Sequence, residues 1–162
     1  MSKKSDQDII AEAISNHLQS AKEKLDKEFL DQARQPGWIE KQLSDNDSYV
    51  RAGAFVSPYA QSHHIDRGLS DPDEHVRINA IRHKNVQMHH LDKALQDPKI
   101  SVRKAAAQSP NAQSHHLDKA LQDPDDHVAF VVGDHPNAQP HHLTRHKERF
   151  NKPLANPTED WD

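Results

Sequence analysis

Apolar residues recur every three or four positions near the start of the chain, a spacing that predicts one amphipathic helix with Ser5 as its N-cap. The apolar positions are Ile10, Ile14, Leu18, Ala21, Leu25 and Phe29. Gln35-Pro36-Gly37 predicts the end of this helix, because proline and glycine both interrupt helices. We therefore treat residues 1–36 as an N-terminal helical segment.

From residue 37 onward the apolar positions recur at intervals of 26 residues. One column is Val50, Val76, Val102 and Val128, and a second is Ala54, Ala80, Ala106 and Val132. Two further columns are Ile39, Ile65, Leu91, Leu117 and Leu143, and Leu43, Leu69, Leu95 and Leu121. A fixed short period predicts an array in which one small unit stacks on copies of itself. We place this array at residues 37–146, with about four units.

Each unit contains signals for two short helices. Asp71 and Pro72 are residue types preferred at an N-cap and at the first helical position, and the pair recurs in the next two units. A turn at Pro110-Asn111 separates the first helix from a second, which we predict from about Ser114 to Gln122 in the third unit. The expected fold is therefore all-α, with two helices in each unit.

Both ends of the array depart from the repeat. Trp38 stands where later units have the second histidine of a pair, and Lys147 replaces the leucine of the fourth column. Terminal units are atypical because one side lacks a neighbour. The segment 1–36 could cover the first unit as a cap, or pair with another chain as a dimerisation helix. Residues 147–162, with an acidic end that contains Trp161, are expected to form a flexible tail.

Composition narrows the possible classes of protein. Apolar residues make up 33% of the chain and the mean hydropathy is −1.02, which suits a thin repeat array better than a large closed core. The absence of cysteine excludes disulfides, thiolate metal sites and iron–sulfur clusters. The sequence has no long apolar run that would predict a membrane span or a signal peptide, so we expect a cytoplasmic location. The net charge of −4 argues against general affinity for nucleic acid.

The phrase D-P-x-x-x-V-R-x-x-A-x-x-x-P-N-A-x-x-x-x-L-x-x-A-L resembles the leucine-rich repeat variant, which belongs to the HEAT-like group of α-solenoids. The resemblance covers about residues 37–146. It implies a right-handed α-solenoid of alternating α- and 3₁₀-helices, here with an N-terminal capping helix. That family carries a cysteine cluster for an iron–sulfur centre ahead of its repeats. This chain has no cysteine, so we expect no cofactor.

An arginine column accompanies the aspartates of the repeat. Arg51, Arg77 and Arg103 each lie six residues after an aspartate. The aspartates are Asp45, Asp71, Asp97 and Asp123. A planar guanidinium suits two-point pairing with a carboxylate, so we expect these columns to form a structural ladder.

A second basic column places one cation in each unit, at Arg67, Lys93, Lys119 and Arg145. Helices pack about 8–10 Å apart, so four such residues would form a stripe about 30 Å long. A stripe of this kind could bind a phosphate backbone or an acidic protein surface. An ordinary solvated helix face carries similar residues.

Histidine is the unusual residue, with 14 in the chain. Eight form the pairs His63-His64, His89-His90, His115-His116 and His141-His142. Imidazole binds zinc, copper and nickel, but adjacent helical residues point about 100° apart, so a pair alone is a poor chelator. The alternative is a pH response, since histidine titrates near 6.5. We assign no metal site from the sequence.

Glycine-rich phosphate loops, nucleophile elbows and metalloprotease motifs are missing from the sequence, so we expect no enzymatic activity and assign no catalytic residue. The expected function is binding of another protein, as an adaptor or scaffold of bacterial or phage origin. The candidate contact residues are Arg67, Lys93, Lys119, Arg145, His64, His90, His116 and Trp38. Binding of a nucleic-acid backbone by the basic columns is the alternative. Self-association through the N-terminal helix or a terminal unit also stays open.

Overall fold

The computed structural model describes residues 6–151, and over that range the protein is all-helical, without a strand. Helices account for about two thirds of the part of the chain that the structure describes. The α-helices of this range are α1 (Asp6–Ala33), α2 (Trp38–Gln42), α3 (Ser48–Gly53), α4 (Ser62–Gly68), α5 (Glu74–Arg82), α6 (Met88–Ala94), α7 (Ile100–Ala107), α8 (Ser114–Leu121), α9 (Asp126–Phe130) and α10 (Pro140–Phe150). Short 3₁₀-helices at Ala54–Val56 and Val131–Asp134 extend α3 and α9.

The helices after α2 pack in two rows. The first helices of successive units, α3, α5, α7 and α9, pack directly on one another in that order. The second helices, α4, α6, α8 and α10, pack against this row. Both α6 and α8 contact the first-row helix before them and the one after them. Equivalent residues therefore meet at successive junctions between units.

The core is formed by the apolar columns of the sequence. The inner members of two columns are completely buried, namely Val76, Val102, Val128, Ile65, Leu91 and Leu117. Ala80 and Ala106 are also completely buried, and their small side chains let the first-row helices approach closely. At the ends, Val50 is half-buried and Leu143 is 37% exposed, because each lacks a neighbouring unit on one side. Burying one Val or Leu side chain stabilises a fold by about 1.5–3 kcal/mol, so these columns dominate stability.

The first helix of each unit begins two residues later than the Asp-Pro pairs predict. The N-cap of α5 is Asp73, whose carboxylate accepts a 2.8 Å hydrogen bond from the His75 amide. Asp71 instead accepts the Asp73 amide at 2.9 Å, in a turn before the helix. The prediction of Asp71 as the N-cap was wrong because its carboxylate also binds Arg51 of the preceding unit.

The last turns of α1 meet the array. Ala33 is buried, and the Phe29 ring packs edge-on against Trp38 with ring centroids 5.6 Å apart. Arg34, which follows the helix, donates two hydrogen bonds to the Tyr59 hydroxyl in the first unit. Trp38 is therefore half-buried by the protein itself, which limits its use as a contact residue for a partner.

The apolar stripe of α1 does not cover the first unit along its length. Leu18 and Leu25, which belong to the stripe, are 64% and 65% exposed. The side chains of Ile10 and Ile14 lie outside the described residues. A full cap would bury this stripe, so the described part of α1 covers the array only with its C-terminal turns.

The helix α10 continues past residue 146, where the array was expected to end, and stops at Phe150. Near its end Phe130 and Phe150 pack edge-on, with ring centroids 5.4 Å apart, and the tilted His146 ring packs against both. The first residues of the expected flexible tail are therefore helical. The remainder of that tail, with Trp161, lies outside the described residues. Among the described residues, none of the helices has the length and apolar character needed to cross a membrane.

Candidate functional site

Arginine and aspartate side chains join each unit to the next. Arg77 Nε and Nη2 donate to the two carboxylate oxygens of Asp97 at 2.7 and 3.1 Å. The equivalent pairs are Arg51–Asp71 and Arg103–Asp123. Arg77 also donates through Nη1 to the carbonyls of Asp71 and Pro72 in its own unit. Each arginine of this ladder therefore holds the turn before the first helix of its own unit, which is Asp-Asn in the first unit and Asp-Pro in the next two, and the aspartate of the following unit.

The ladder is built from ionised groups. Burial raises the pKa of Asp71, but the hydrogen bonds from Arg51 and from the amide two residues on outweigh it, and the pKa lies below its usual value. The same balance lowers the pKa of Asp123 beside Arg103. Asp45 lies at the start of the array. Among the described residues, its carboxylate accepts one hydrogen bond, from the amide two residues on. The ladder is therefore a structural element between units.

The ladder ends at Ala129, and an arginine of α10 takes over one of the contacts that the ladder would make there. Arg149 donates to the carbonyls of Leu121 and Asp123 at 2.7 and 2.9 Å. It also binds the Asp126 carboxylate through Nε and Nη2. In the earlier units each ladder arginine donates to the carbonyl of the aspartate six residues before it. An arginine at position 129 would therefore reach the Asp123 carbonyl. Arg149 could not be predicted from the repeat, because it lies outside the register of the ladder arginines.

Asparagine side chains form a second ladder that sequence analysis missed. Asn85 Nδ2 donates to the Ala60 carbonyl at 2.8 Å, across one junction. Asn111 binds the Val86 carbonyl, and Asn137 binds the carbonyls of Ala112 and Pro110. The recurrence of asparagine at 26-residue intervals was the available signal.

A third set of contacts uses serine and histidine alternately at one position of the repeat. The members are Ser57, His83, Ser109 and His135. His83 Nδ1 accepts the Asn85 amide at 3.1 Å, as the Ser109 hydroxyl accepts the Asn111 amide at 3.3 Å. His83 Nε2 also donates to the Ser57 carbonyl of the preceding unit at 3.0 Å. Burial lowers the pKa of His83, so the neutral ring is favoured.

The two histidines of each pair have different environments. The second histidines are buried: His64 is 6% exposed, and His90, His116 and His142 are fully buried. We expected His64, His90 and His116 to lie on a surface for partners. This expectation is corrected, because their rings pack into the junction with the preceding unit. The first histidines are exposed, at His63, His89, His115 and His141. In every pair the two rings are in contact, with centroids 3.8 or 3.9 Å apart and planes tilted by 40–46°.

The buried histidine caps its own helix. His90 Nδ1 accepts the Gln87 amide at 2.8 Å, and the same contact recurs in the other three pairs. Because Nδ1 is the acceptor, the proton of the neutral ring is on Nε2. Burial and the neighbouring His89 lower the pKa of His90, and Asp66 offsets part of this effect.

A carboxylate from the preceding unit completes each pair. Asp66 Oδ1 lies 3.6 Å from His89 Nε2 and 3.3 Å from His90 Nε2. The other clusters are Glu40 with His63 and His64, Asp92 with His115 and His116, and Asp118 with His141 and His142. In each cluster the three atoms lie within 4.8 Å of one another. A histidine pair alone does not predict these clusters, because the carboxylate comes from the preceding unit.

Two members of the basic column bind the same carboxylates as the histidines. Lys119 pairs with Asp92, and Arg145 Nη1 lies 2.6 Å from Asp118 Oδ1. Hydrogen bonds from Lys119, as the largest contribution, lower the pKa of Asp92. These two cations are therefore neutralised within the protein.

The other two members of the basic column bind uncharged groups. Arg67 Nη2 donates to the Leu43 carbonyl and the Ser44 hydroxyl, at 3.0 and 2.9 Å. Lys93 Nζ donates to the Ser70 hydroxyl at 2.8 Å. All four cations thus reach back to the preceding unit, and the column differs from the free stripe expected for phosphate binding.

An open groove of about 890 Å³ lies beside the first turn of α6. Its apolar lining includes Val86, Met88 and Pro110. Polar side chains along it include Gln87, His89, Asp92, Asn111, Gln113 and Asn137. Met88 is 50% exposed, which places a large apolar side chain among amide and imidazole groups. This combination suits contact with a polypeptide segment.

Comparisons with known proteins do not name a relative. The chain matches no family model, no curated protein and no solved structure.

Proposed function

We propose that residues 37–146 form a right-handed α-solenoid of about four units, of the leucine-rich repeat variant or HEAT-like type. The stacking order α3, α5, α7 and α9 supports this proposal. Further support comes from the Arg–Asp, Asn–carbonyl and His–carboxylate contacts that recur between successive units. A repeat array depends on such contacts, since each unit is stabilised by its neighbours.

This array acts as a non-enzymatic protein-binding module, an adaptor or scaffold of bacterial or phage origin in the cytoplasm. The groove beside α6 carries this proposal. Met88 offers an apolar anchor point, and the side chains of Gln87 and Asn111 can hydrogen-bond a bound backbone. A protein partner that inserts an apolar side chain beside Met88 fits this surface.

The alternative function, binding of a nucleic-acid backbone, depends on cations that are free to contact phosphates. Lys119 and Arg145 would first have to leave Asp92 and Asp118. The exchange of one anion for another weakens the net gain from each phosphate contact. This observation favours a protein partner over a nucleic acid.

A capture experiment with matched variants tests the choice. The untagged protein is immobilised, exposed to lysate of its native host with and without nuclease, and compared with Met88→Glu and Ile100→Glu. Ile100 is the control, because it is 44% exposed but lies outside the groove. We expect a nuclease-resistant protein that Met88→Glu loses and Ile100→Glu retains. Recovery of nucleic acid that is lost in moderate salt would support the alternative, and recovery of neither would contradict both.

Self-association through α1 is part of the proposal, because Leu18 and Leu25 expose apolar surface to solvent. Light scattering over a range of protein concentrations tests it, with the double variant Leu18→Glu/Leu25→Glu for comparison. We expect a mass that rises with concentration only in the wild type. A monomer at every concentration contradicts self-association without affecting the groove.

A further inference from the structure

One carboxylate oxygen lies close to the spacing of metal ligands from the ring nitrogens of a histidine pair. A tetrahedral zinc ion with bonds of about 2.0–2.1 Å holds its nitrogen and oxygen ligands about 3.3–3.4 Å apart. Asp66 Oδ1 is 3.3 Å from His90 Nε2 and 3.6 Å from His89 Nε2. We infer that Asp66, His89 and His90 bind a divalent transition-metal ion of the zinc, copper or nickel type. This site does not depend on the proposed protein partner.

The three ligands differ in how firmly they are held. His90 is fully buried and fixed by its hydrogen bond to the Gln87 amide. Asp66 and His89 have side chains 50% and 56% exposed, so they can adjust by the few tenths of an ångström that coordination requires. The exposed side of the cluster leaves further coordination positions to water. Imidazole and carboxylate together form a donor set that zinc accepts in proteins.

Two of the other three clusters differ from this one because a neighbouring cation already binds their carboxylate. Arg145 contacts Asp118, and Lys119 contacts Asp92, on the carboxylate oxygen that also faces the histidines. A metal ion there would be repelled by the bound cation and would have to displace it. Lys93, the equivalent residue beside Asp66, binds the Ser70 hydroxyl instead. Within the described residues, the ion-pair contacts of Asp66 are those with its two histidines.

The remaining copy, at Glu40, has a less suitable geometry. Glu40 Oε1 lies 2.9 Å from His64 Nε2 and 4.0 Å from His63 Nε2. The shorter distance is an established hydrogen bond, which lowers the pKa of Glu40. An ion would have to break this bond and draw His63 inward. The four clusters thus predict one principal site, with the others as internal comparisons.

Coordination by His90 requires a change of tautomer. In the free protein Nε2 carries the ring proton, because Nδ1 accepts the Gln87 amide. When Nε2 binds the metal ion, the proton moves to Nδ1 and the Gln87 amide loses its acceptor. The metal-bound ring then has its N–H on the nitrogen away from the ion, as metal-binding histidines usually do. Metal binding should therefore loosen the first turn of α6.

The test uses the untagged full chain and Zn(II). Isothermal titration calorimetry is performed on the wild type, Asp66→Asn and His89→Ala, and on the matched controls Asp118→Asn and His141→Ala. Circular dichroism first checks that each variant is folded, and all four positions are partly exposed. We expect saturable binding of one ion, weakened at least about tenfold by Asp66→Asn or His89→Ala and unchanged by the controls. Equal effects of the two sets, unchanged affinity in Asp66→Asn and His89→Ala, or no saturable binding would overturn the proposal.

A second measurement follows the Gln87 amide by NMR hydrogen exchange. Saturation with Zn(II) should speed its exchange. The equivalent Gln139 amide, which is bonded to the buried histidine of the Asp118 cluster, should keep its exchange rate. The variant Arg145→Ala adds a gain of function, because it frees Asp118 and should raise the number of bound ions by one. Equal acceleration at Gln87 and Gln139 in the wild type would overturn the assignment to Asp66, His89 and His90.

Discussion

Arg77 and Asp97 form a two-point ion pair between neighbouring units, and their side chains are only 9% and 8% exposed. Neither residue can be removed without leaving the other as a buried charge. Lysine would not replace Arg77, because an ammonium group lacks the planar fork that binds both carboxylate oxygens. The pair therefore connects the two units and also fixes their register.

Substitution of Arg77 should show how strongly this pair stabilises the fold. We expect Arg77→Ala to lower the free energy of unfolding by about 3 kcal/mol, because Asp97 then lacks its counter-ion. The control is Arg145→Ala, which removes the exposed pair with Asp118 and should lower it by less than about 1 kcal/mol. Urea denaturation of both variants measures the difference. Equal losses would show that the buried pair has no special role.

Gly68 provides a packing test, because later units have Ala94 and Ala120 at this position. A Cβ atom on Gly68 would lie 2.2 Å from Phe55 Cζ and 2.8 Å from Ala80 Cβ. We expect Gly68→Ala to lower the free energy of unfolding by about 1–3 kcal/mol, since the buried Phe55 ring must move.

The control for this test is Gly53→Ala. The added Cβ meets nothing within 4 Å, and Gly53 lies in a helix with φ −60°. Alanine should therefore raise stability by up to about 1 kcal/mol. Thermal denaturation of the two variants should give melting temperatures that move in opposite directions. A shift of the same sign in both would contradict the packing argument.

Acid should destabilise the protein through His83. Burial is the largest cause of its lowered pKa, and Lys84 and His64 add to it, while the hydrogen bond to the Ser57 carbonyl acts in the opposite direction. Below about pH 6.5 the unfolded chain therefore binds a proton that the folded protein resists. The stabilising contribution is complete above pH 6.5 and is lost as the pH falls toward the folded pKa.

The variant His83→Ser should flatten this pH dependence, because serine occupies the same position in the first and third units without titrating. Urea midpoints at about pH 7.5 and about pH 5.5 give the comparison. The control is Ser109→Ala, which removes an equivalent turn hydrogen bond and should lower stability equally at both pH values. An unchanged slope in His83→Ser would assign the acid sensitivity to other groups, with His116 as the first candidate.

Arg149 should hold α10 on the array. Arg149→Ala removes the hydrogen bonds to the carbonyls of Leu121 and Asp123 and the contact with Asp126, so we expect a loss of about 1–3 kcal/mol. Lys147→Ala, in the same helix at an exposed position, should change stability by less than about 0.5 kcal/mol. Hydrogen exchange should show faster exchange of the α10 amides only in Arg149→Ala. Equal exchange in the two variants would contradict this role.

The helical class and the core columns could be predicted from the sequence because apolar periodicity is a property of single positions. Leu91 and Leu117 are buried for the reason that their spacing suggests. The predicted second helix of the third unit, from about Ser114 to Gln122, is confirmed as Ser114–Leu121. These features need no knowledge of which residues meet in space.

The sites between units were harder to predict, because each depends on a partner from a different unit. Asp66 forms a candidate site only together with His89 and His90, which lie 23 and 24 residues later in the sequence. Asp71 has the residue type of an N-cap, but its contact with Arg51 leaves that role to Asp73. Residue type predicts which groups can form hydrogen bonds and ion pairs. The partner of each group depends on how the units pack.

The constant offset of the arginine ladder bears on how such a chain can change its length. Arg51 binds Asp71 and Arg77 binds Asp97, in both cases 20 residues on. Excision of residues 71–96 would leave Arg51 facing the former Asp97, now at the same offset, and Asp66 facing the former His115 and His116. Loss or gain of one whole 26-residue block therefore preserves, by type, the partners of the arginine ladder and of the histidine–carboxylate clusters. Unequal recombination between blocks can thus vary the extent of the surface in whole steps while these two sets of contacts keep their types of partner.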